Sequence, residues 1–287
     1  MKEARFYVPA DGGVQCLLCP HRCRIKEGGR GICRSRECLD GKLYALSYGL
    51  PCAVAIDPVE KKPLNRFMPG TYCLSLSCTG CNLSCRWCQN SDISLVAPEA
   101  ADRYELSPQD AVDICLKRGL PSIAYTYTEP FTWWEYMYDM AVQAHAAGLK
   151  NILVSAGYVE EGPLRELLPY LDAANIDIKA MDDAFYRKYC GASLAPVLSN
   201  ILAMHAAGVH VEITNLLVTG LNDSEEQVSK LCRWMVDNGL QDVPLHFSRF
   251  FPRHRMTELS ATPRATLVRA RDLANSLGIK TVYLGNI

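Results

Sequence analysis

Cys81, Cys85 and Cys88 are separated by three and then two residues in the run Cys78-Thr-Gly-Cys81-Asn-Leu-Ser-Cys85-Arg-Trp-Cys88-Gln-Asn. That spacing lets a single loop wrap a cubane iron–sulfur cluster, giving thiolates to three irons and leaving the fourth without a protein ligand. An open iron is a site for a substrate. Asn82 and the small Ser84 keep such a loop tight, and Trp87 is placed to cover the cluster from solvent. The competing reading is zinc held by Cys78, Cys81, Cys85 and Cys88 as paired knuckles. Only three residues separate those pairs, whereas the pairs of structural zinc sites stand about a dozen or more apart. A third reading is plain packing. With a cluster, Cys78 is spare.

A second set, Cys16-x2-Cys19-x3-Cys23-x9-Cys33, places four thiols in one short stretch, with Pro20 and Gly31 supplying tight turns. Four thiolates suit tetrahedral zinc or a second iron–sulfur cluster, and unligated packing is the alternative. Eleven of the 14 cysteines precede residue 90; Cys115, Cys190 and Cys232 lie in apolar helical patterns and read as core. The chain has 287 residues and no export signal, so reduced thiols that serve metals are expected rather than disulfides.

The elements that must position these thiols follow a regular pattern. From Tyr72 onward, short β-branched or aliphatic runs alternate with longer segments of helical periodicity, the signature of repeated βα units. Strands are expected at Tyr72–Leu76, Ser122–Tyr127, Asn151–Ser155, Asn175–Ile178, His210–Leu217, Val243–Phe247 and Thr281–Leu284. Helices are expected over Pro108–Arg118 behind the cap Ser107, Trp133–Ala147, Gly162–Leu171 and Ser224–Asn238. Crossovers of this length pair strands in parallel. Active sites of such barrels lie at the carboxyl ends of the strands, and the Cys81 loop directly follows the first strand. A full eight-stranded barrel takes about 250 residues, so an α/β fold is expected: a partial barrel of six units, (β/α)6, over residues 69–287, behind a small cysteine-rich module at 1–68. Pro51–Gly70 reads as the linker.

These residues resemble the radical S-adenosylmethionine (SAM) superfamily, through the C-x-x-x-C-x-x-C loop with an aromatic before its last cysteine. The whole chain is similar to the radical SAM component of the AmmeMemoRadiSam system, and to pyruvate formate-lyase activating enzymes. The likeness runs through Cys16-Leu-Leu-Cys19-Pro-His-Arg-Cys23, Tyr125-Thr-Tyr-Thr-Glu129-Pro130, Asp177-Ile-Lys179, Thr219-Gly220-Leu-Asn-Asp223 and Tyr283-Leu-Gly285-Asn286. It implies a [4Fe–4S] cluster on Cys81, Cys85 and Cys88 whose open iron chelates SAM. Reductive cleavage there yields methionine and a 5′-deoxyadenosyl radical that abstracts hydrogen.

The resemblance also implies a Glu129 carboxylate that holds the SAM ammonium, the other reading being a helix cap. Ser155-Ala156-Gly157 would approach the ribose, although Val154 stands where relatives carry the acid of their ribose contact and bound monovalent cation. Asp177 and Lys179 would lie near the SAM carboxylate; the alternative is an ion pair at the solvent rim. Glu212, Asn215, His246 and Arg249 are further candidates for substrate or SAM contacts, against ordinary core roles. Relatives continue past Tyr-x-Gly-Asn into another C-x-x-C stretch, so part of a lid or metal site is expected beyond Ile287.

Implied partners are SAM, an external one-electron donor such as flavodoxin or ferredoxin, and a protein or small-molecule substrate. Net charge is −1 and no apolar run reaches membrane-spanning length, so a cytoplasmic protein without nucleic-acid or membrane partners is expected. Two other functions are open. One is a non-catalytic zinc-binding scaffold. The other is an RNA-modifying radical SAM enzyme, which calls for a basic, aromatic-studded face that the sequence does not display.

Overall fold

The structure is a computed structural model that describes residues 1–287. Seven parallel strands, Tyr72–Ser77, Ser122–Tyr125, Lys150–Ser155, Ala173–Asp177, His210–Leu217, Leu245–Arg249 and Val282–Gly285, lie side by side in chain order. Six helical crossovers join them, so the sheet is the expected partial barrel of six βα units with one closing strand. Ala53–Pro58 adds an eighth strand, antiparallel to Tyr72–Ser77 with Ala53 opposite Ser77. The sheet is open, with Ala53–Pro58 and Val282–Gly285 at its two edges.

The helix starts follow local chemistry. Ser107 and Asp110 form a reciprocal capping box at the head of Pro108–Arg118, and Gly119 ends that helix in the left-handed conformation. Ser224 caps Glu225–Asp237 by accepting from Gln227 N. The expected helix at 162–171 is shorter, Glu161–Leu167, and tightens into a 3-10 turn at Leu168–Tyr170 around Pro169. Helices Ala195–Ala206 and Arg264–Ser276 complete the outer layer. No helix is long and apolar enough to cross a membrane.

Pro51–Gly70 is not a linker. It supplies the antiparallel edge strand and then a plug, residues 59–66, that enters the barrel from its amino-terminal end, so the main sheet begins at Ala53 rather than after residue 68. Lys62 is 1% exposed and pairs with Asp57 at 2.7 Å. Asn175 Nδ2 donates to Pro63 O at 2.8 Å, and Asn65 N and Arg66 N donate to the Glu212 carboxylate at 3.1 and 2.8 Å.

Glu212 also accepts from His246 at 2.6 Å and His210 at 3.0 Å, and Tyr283 stacks on His246. Burial works to raise the pKa of Glu212, but the two imidazoles and two amides outweigh it and hold the carboxyl down at about 2. A folded-state pKa below the usual glutamate value stabilises the fold above that value, and the stabilisation is lost as pH falls toward 2. Melting temperature should therefore drop between about pH 4.5 and pH 2, and Glu212→Gln should flatten that slope. A variant with an unchanged slope would show that the carboxylate does not hold the plug.

Residues 1–50 form two three-stranded antiparallel sheets, one of Lys2–Glu3, Lys42–Ala45 and Arg36–Leu39, the other of Tyr7–Ala10, Gly13–Cys16 and Arg24–Lys26. The module shares its core with the barrel: one continuous apolar cluster unites Ala4, Val14, Leu18 and Leu43 with Phe131, Trp133 and Trp134. Arg36 and Glu135, each 1% exposed, join the two across that contact.

Candidate active site

The cysteine loop leaves the carboxyl end of Tyr72–Ser77 and is pinned along its length. Gly80 N donates to Ile93 O at 3.0 Å, Ser84 N to Cys190 O at 2.8 Å, and Cys88 N to Cys85 O at 3.1 Å. Gly80 has φ +99, and a Cβ there would stand 1.9 Å from Ser35 Oγ and 2.5 Å from Cys33 O. Only glycine lets the loop pass so close to the amino-terminal module.

Cys81, Cys85 and Cys88 line one cavity of about 340 Å³ at the carboxyl-terminal mouth of the barrel. Leu83 and Trp87 give it apolar walls, with Trp87 braced on Phe185 at 5.6 Å between ring centres. Cys78 is fully buried away from the cavity, its thiol directed at Ser47 O. No three histidine, cysteine or acidic side chains converge as a lone metal ion requires. The three cavity thiols come from one loop and open on a space far larger than a single ion needs, which suits a polynuclear cluster. Burial pushes the Cys81 and Cys88 thiols above their ordinary range, whereas a hydrogen bond from Cys190, helped by Lys179, draws Cys85 below it.

Glu129 faces the same cavity and is 1% exposed. Oε1 accepts from Ser155 Oγ at 2.7 Å and from Phe131 N at 3.2 Å; Oε2 accepts only from Ala156 N, at 2.9 Å. It caps the short helix Pro130–Trp133 and is at the same time a cavity carboxylate. Burial raises its pKa, partly offset by those three donors. Ser155 and Ala156 line the wall, while Gly157 stands behind it, its N–H taken by Ser155 Oγ and its carbonyl by Asn200. With φ +67, Gly157 turns the chain away from the strand end.

Asp177 and Lys179 both line the cavity and pair at 2.8 Å. Burial works against the lysine charge, but Asp177 and the Cys85 thiol outweigh it and hold the ammonium above the usual lysine range. Of the weaker candidates, none lines the cavity. Glu212 and His246 do point inward, as strand alternation indicates, but they sit too near the amino-terminal end and serve the plug. Asn215 binds Ile178 O, and Arg249 binds Thr262 O. The inward residues one or two steps higher on those strands, Thr214, Leu216 and Ser248, are the ones that reach the cavity, together with Asn175 and Asn286. Lys61 and Pro63 of the plug form its floor; no periodicity marks them, because they arrive from an irregular segment.

A parallel αβ barrel with three thiols of one loop at its mouth defines a class of iron–sulfur enzyme. The family model described as "Radical SAM superfamily" matches residues 76–235, and the chain belongs to that superfamily. It is 44% identical over its whole length to the uncharacterized protein MJ0808 of Methanocaldococcus jannaschii, covering 86% of that protein. It is 27% identical to the pyruvate formate-lyase-activating enzyme of Clostridium pasteurianum over 53% of this chain and 64% of that enzyme. A radical SAM methyltransferase from Sphaerobacter thermophilus shares the fold with TM-score 0.57 and 17% identity, over 76% of this chain and 67% of its own. The chain is a radical SAM enzyme of the activating-enzyme-like kind.

Proposed function

We propose that this chain reductively cleaves SAM at a [4Fe–4S] cluster held by Cys81, Cys85 and Cys88. The carrying observation is that these three thiols, Glu129, Ser155, Asp177 and Lys179 line a single cavity. When bound there, the cluster supplies an open iron for the amino and carboxylate groups of SAM and an electron that splits the sulfonium into methionine and a hydrogen-abstracting 5′-deoxyadenosyl radical. The chain's own residues bind, orient and exclude water. Glu129 Oε2, with accepting capacity to spare, receives an N–H of the SAM amino group. Lys179, held charged by Asp177, receives the carboxylate, and Ser155 and Ala156 border the ribose. Leu83 and Trp87 keep water from the reacting bond.

The likeness to activating enzymes supports a protein substrate, with electrons from flavodoxin or ferredoxin in the cytoplasm. Anaerobic reconstitution followed by chromatography of 5′-deoxyadenosine and methionine tests the cleavage. A brown protein that forms both under reductant is the expected result, and a colourless zinc-loaded protein that forms neither overturns it. Deuterium transfer into 5′-deoxyadenosine from labelled lysate proteins, and separately from labelled metabolites, then identifies the substrate class.

Glu129→Gln removes a buried charge from the cofactor side of the cavity. Charge-assisted hydrogen bonds are worth about 1.5–3 kcal/mol, so SAM binding should weaken about 10–100-fold in equilibrium dialysis while the iron content stays unchanged. Unaltered affinity would reduce Glu129 to a helix cap.

A further inference from the structure

Cys16, Cys19, Cys23 and Cys33 border a pocket of about 20 Å³ in the amino-terminal module, room for one water or small ion rather than a cubane. No three of their side chains converge as metal ligands. The outer face of the Cys81–Cys88 loop is different in kind. Residues 84–86 are strapped there to the segment Tyr186–Cys190: Ser84 N donates to Cys190 O at 2.8 Å and Arg86 N to Tyr189 O at 3.1 Å. The segment after strand Leu245–Arg249 closes over the same spot, where Arg255 N donates to Arg86 O at 2.9 Å and Arg253 N to Met256 O at 3.3 Å.

Three separate stretches of chain thus bring Arg86, Lys188, Arg253 and Arg255 together, all exposed. No local signal in the sequence displays this face, because its cations are far apart along the chain. The Arg86 guanidinium and the Lys188 ammonium stand over one ring, that of Tyr189, at 5.6 and 5.0 Å from its centre. None of the four is in an ion pair; the neighbouring Arg187 is the one that a carboxylate neutralises, Asp183 at 2.7 Å. Glu258 is the only acid in the loop 250–260. A chain whose net charge is −1 therefore concentrates uncompensated positive charge on the outside of its cysteine loop. Like charges held so close repel one another, a cost that a negatively charged partner removes.

Position decides what kind of partner fits. Cys81, Cys85, Trp87 and Cys88 line the barrel cavity, whereas none of the four cations does. A substrate held on the outer face would have the loop between it and the cavity. An electron needs no passage, since it tunnels through packed protein. The packing is continuous: Tyr189 lies 4.9 Å from Phe185, and Phe185 5.6 Å from Trp87, between ring centres. A basic face with an aromatic at its centre also suits RNA, but a base must enter the cavity to react, and these cations stand outside it.

We infer that Arg86, Lys188, Arg253 and Arg255 dock an acidic one-electron donor protein on the outer face of the cysteine loop. One electron leaves the donor and arrives at the cluster of the proposed function; no bond forms or breaks. The electron's destination rests on that function, and the docking does not. Encounters of this kind are small in area, steered by charge, and weakened as salt screens the surfaces.

Titration calorimetry of the full chain with an acidic flavodoxin, at low salt and again well above physiological salt, is the test. Lys188→Glu/Arg255→Glu is compared with Lys117→Glu/Arg118→Glu, which makes the same charge change at the exposed end of helix Pro108–Arg118. The wild type and the helix variant should bind alike, with affinity falling as salt rises, and Lys188→Glu/Arg255→Glu should bind more than about tenfold more weakly at low salt. In the reconstituted enzyme, 5′-deoxyadenosine formation driven by subsaturating flavodoxin should fall by the same factor in Lys188→Glu/Arg255→Glu. With reduced methyl viologen, a small cation, it should not fall. Equal flavodoxin binding by the two variants, or equal loss with both reductants, overturns the docking site. So does tRNA binding that disappears in Lys188→Glu/Arg255→Glu while flavodoxin binding persists. A wild type that binds flavodoxin but cleaves no SAM with either reductant refutes the function proposed above and leaves the docking site standing.

Discussion

Cys85→Ala should abolish SAM cleavage, lowering 5′-deoxyadenosine formation by more than about a thousandfold, while Cys78→Ala keeps most of the wild-type rate. Both are buried cysteines of the same loop, 0% and 9% exposed at positions 78 and 85, so the contrast isolates ligation from packing. Cys85 opens on the barrel-mouth cavity beside Lys179, whereas Cys78 is turned toward Ser47. Losing one of three thiolates leaves a second iron without protein, and the cluster is then neither retained nor able to present a single open corner. Truncating Cys78 removes a small side chain and its weak contact with Ser47 O, worth about 1 kcal/mol at a site that can relax. The paired measurement is iron content and 5′-deoxyadenosine by chromatography. Equal loss in both variants would mean that the ligand set includes Cys78, as in a zinc knuckle.

Glu135→Ala should cost about 3–5 kcal/mol of stability, because it leaves the Arg36 guanidinium buried without its counter-charge. At about 2–4 °C per kcal/mol for a chain of this size, the melting temperature falls by about 10 °C. The pair is bidentate, both side chains are 1% exposed, and Glu135 also accepts from Arg5 N at 3.0 Å, so one substitution loosens the strand Arg36–Leu39 and the bend at Arg5 at once. An apolar double replacement, Arg36→Met/Glu135→Leu, should recover much of the loss, as buried pairs commonly do when both charges go. The exposed pair Arg165–Glu161, at 74% and 69% exposure, is the control. Glu161→Ala should change stability by less than about 0.5 kcal/mol. Scanning calorimetry of these variants beside the wild type gives the comparison, and equal melting shifts at positions 135 and 161 would refute a tight module–barrel junction.

The barrel is legible in the sequence because its signals are local. Strand His210–Leu217 and helix Pro108–Arg118 fall where alternation and the Ser107 cap put them. The same is true of the Cys81–Cys88 loop, whose three thiols sit within eight residues, so their spacing alone brings them to one cavity. The edge strand Ala53–Pro58 and the plug behind it read as a linker because their stabilising partners are remote. Asp57 meets Tyr127, Pro63 meets Asn175, and Asn65 and Arg66 meet Glu212. Helix Ala195–Ala206 escapes sequence reading for a different reason: it has no side-chain cap, and its apolar residues are not confined to one stripe.

Residue types and short spacings therefore determined the candidate site: which thiols form a set, which strand carries them, and that Glu129, Asp177 and Lys179 stand near strand ends. Tertiary structure alone decided height and company. Alternation tells which side of a strand a residue faces but not how far along the barrel it lies, so Glu212 and Thr214 look alike until the plug and the cavity separate them. Likewise, nothing local could show that Arg36 meets Glu135 or that Asn82 faces the amino-terminal thiols, since those contacts join residues about 60 to 100 positions apart.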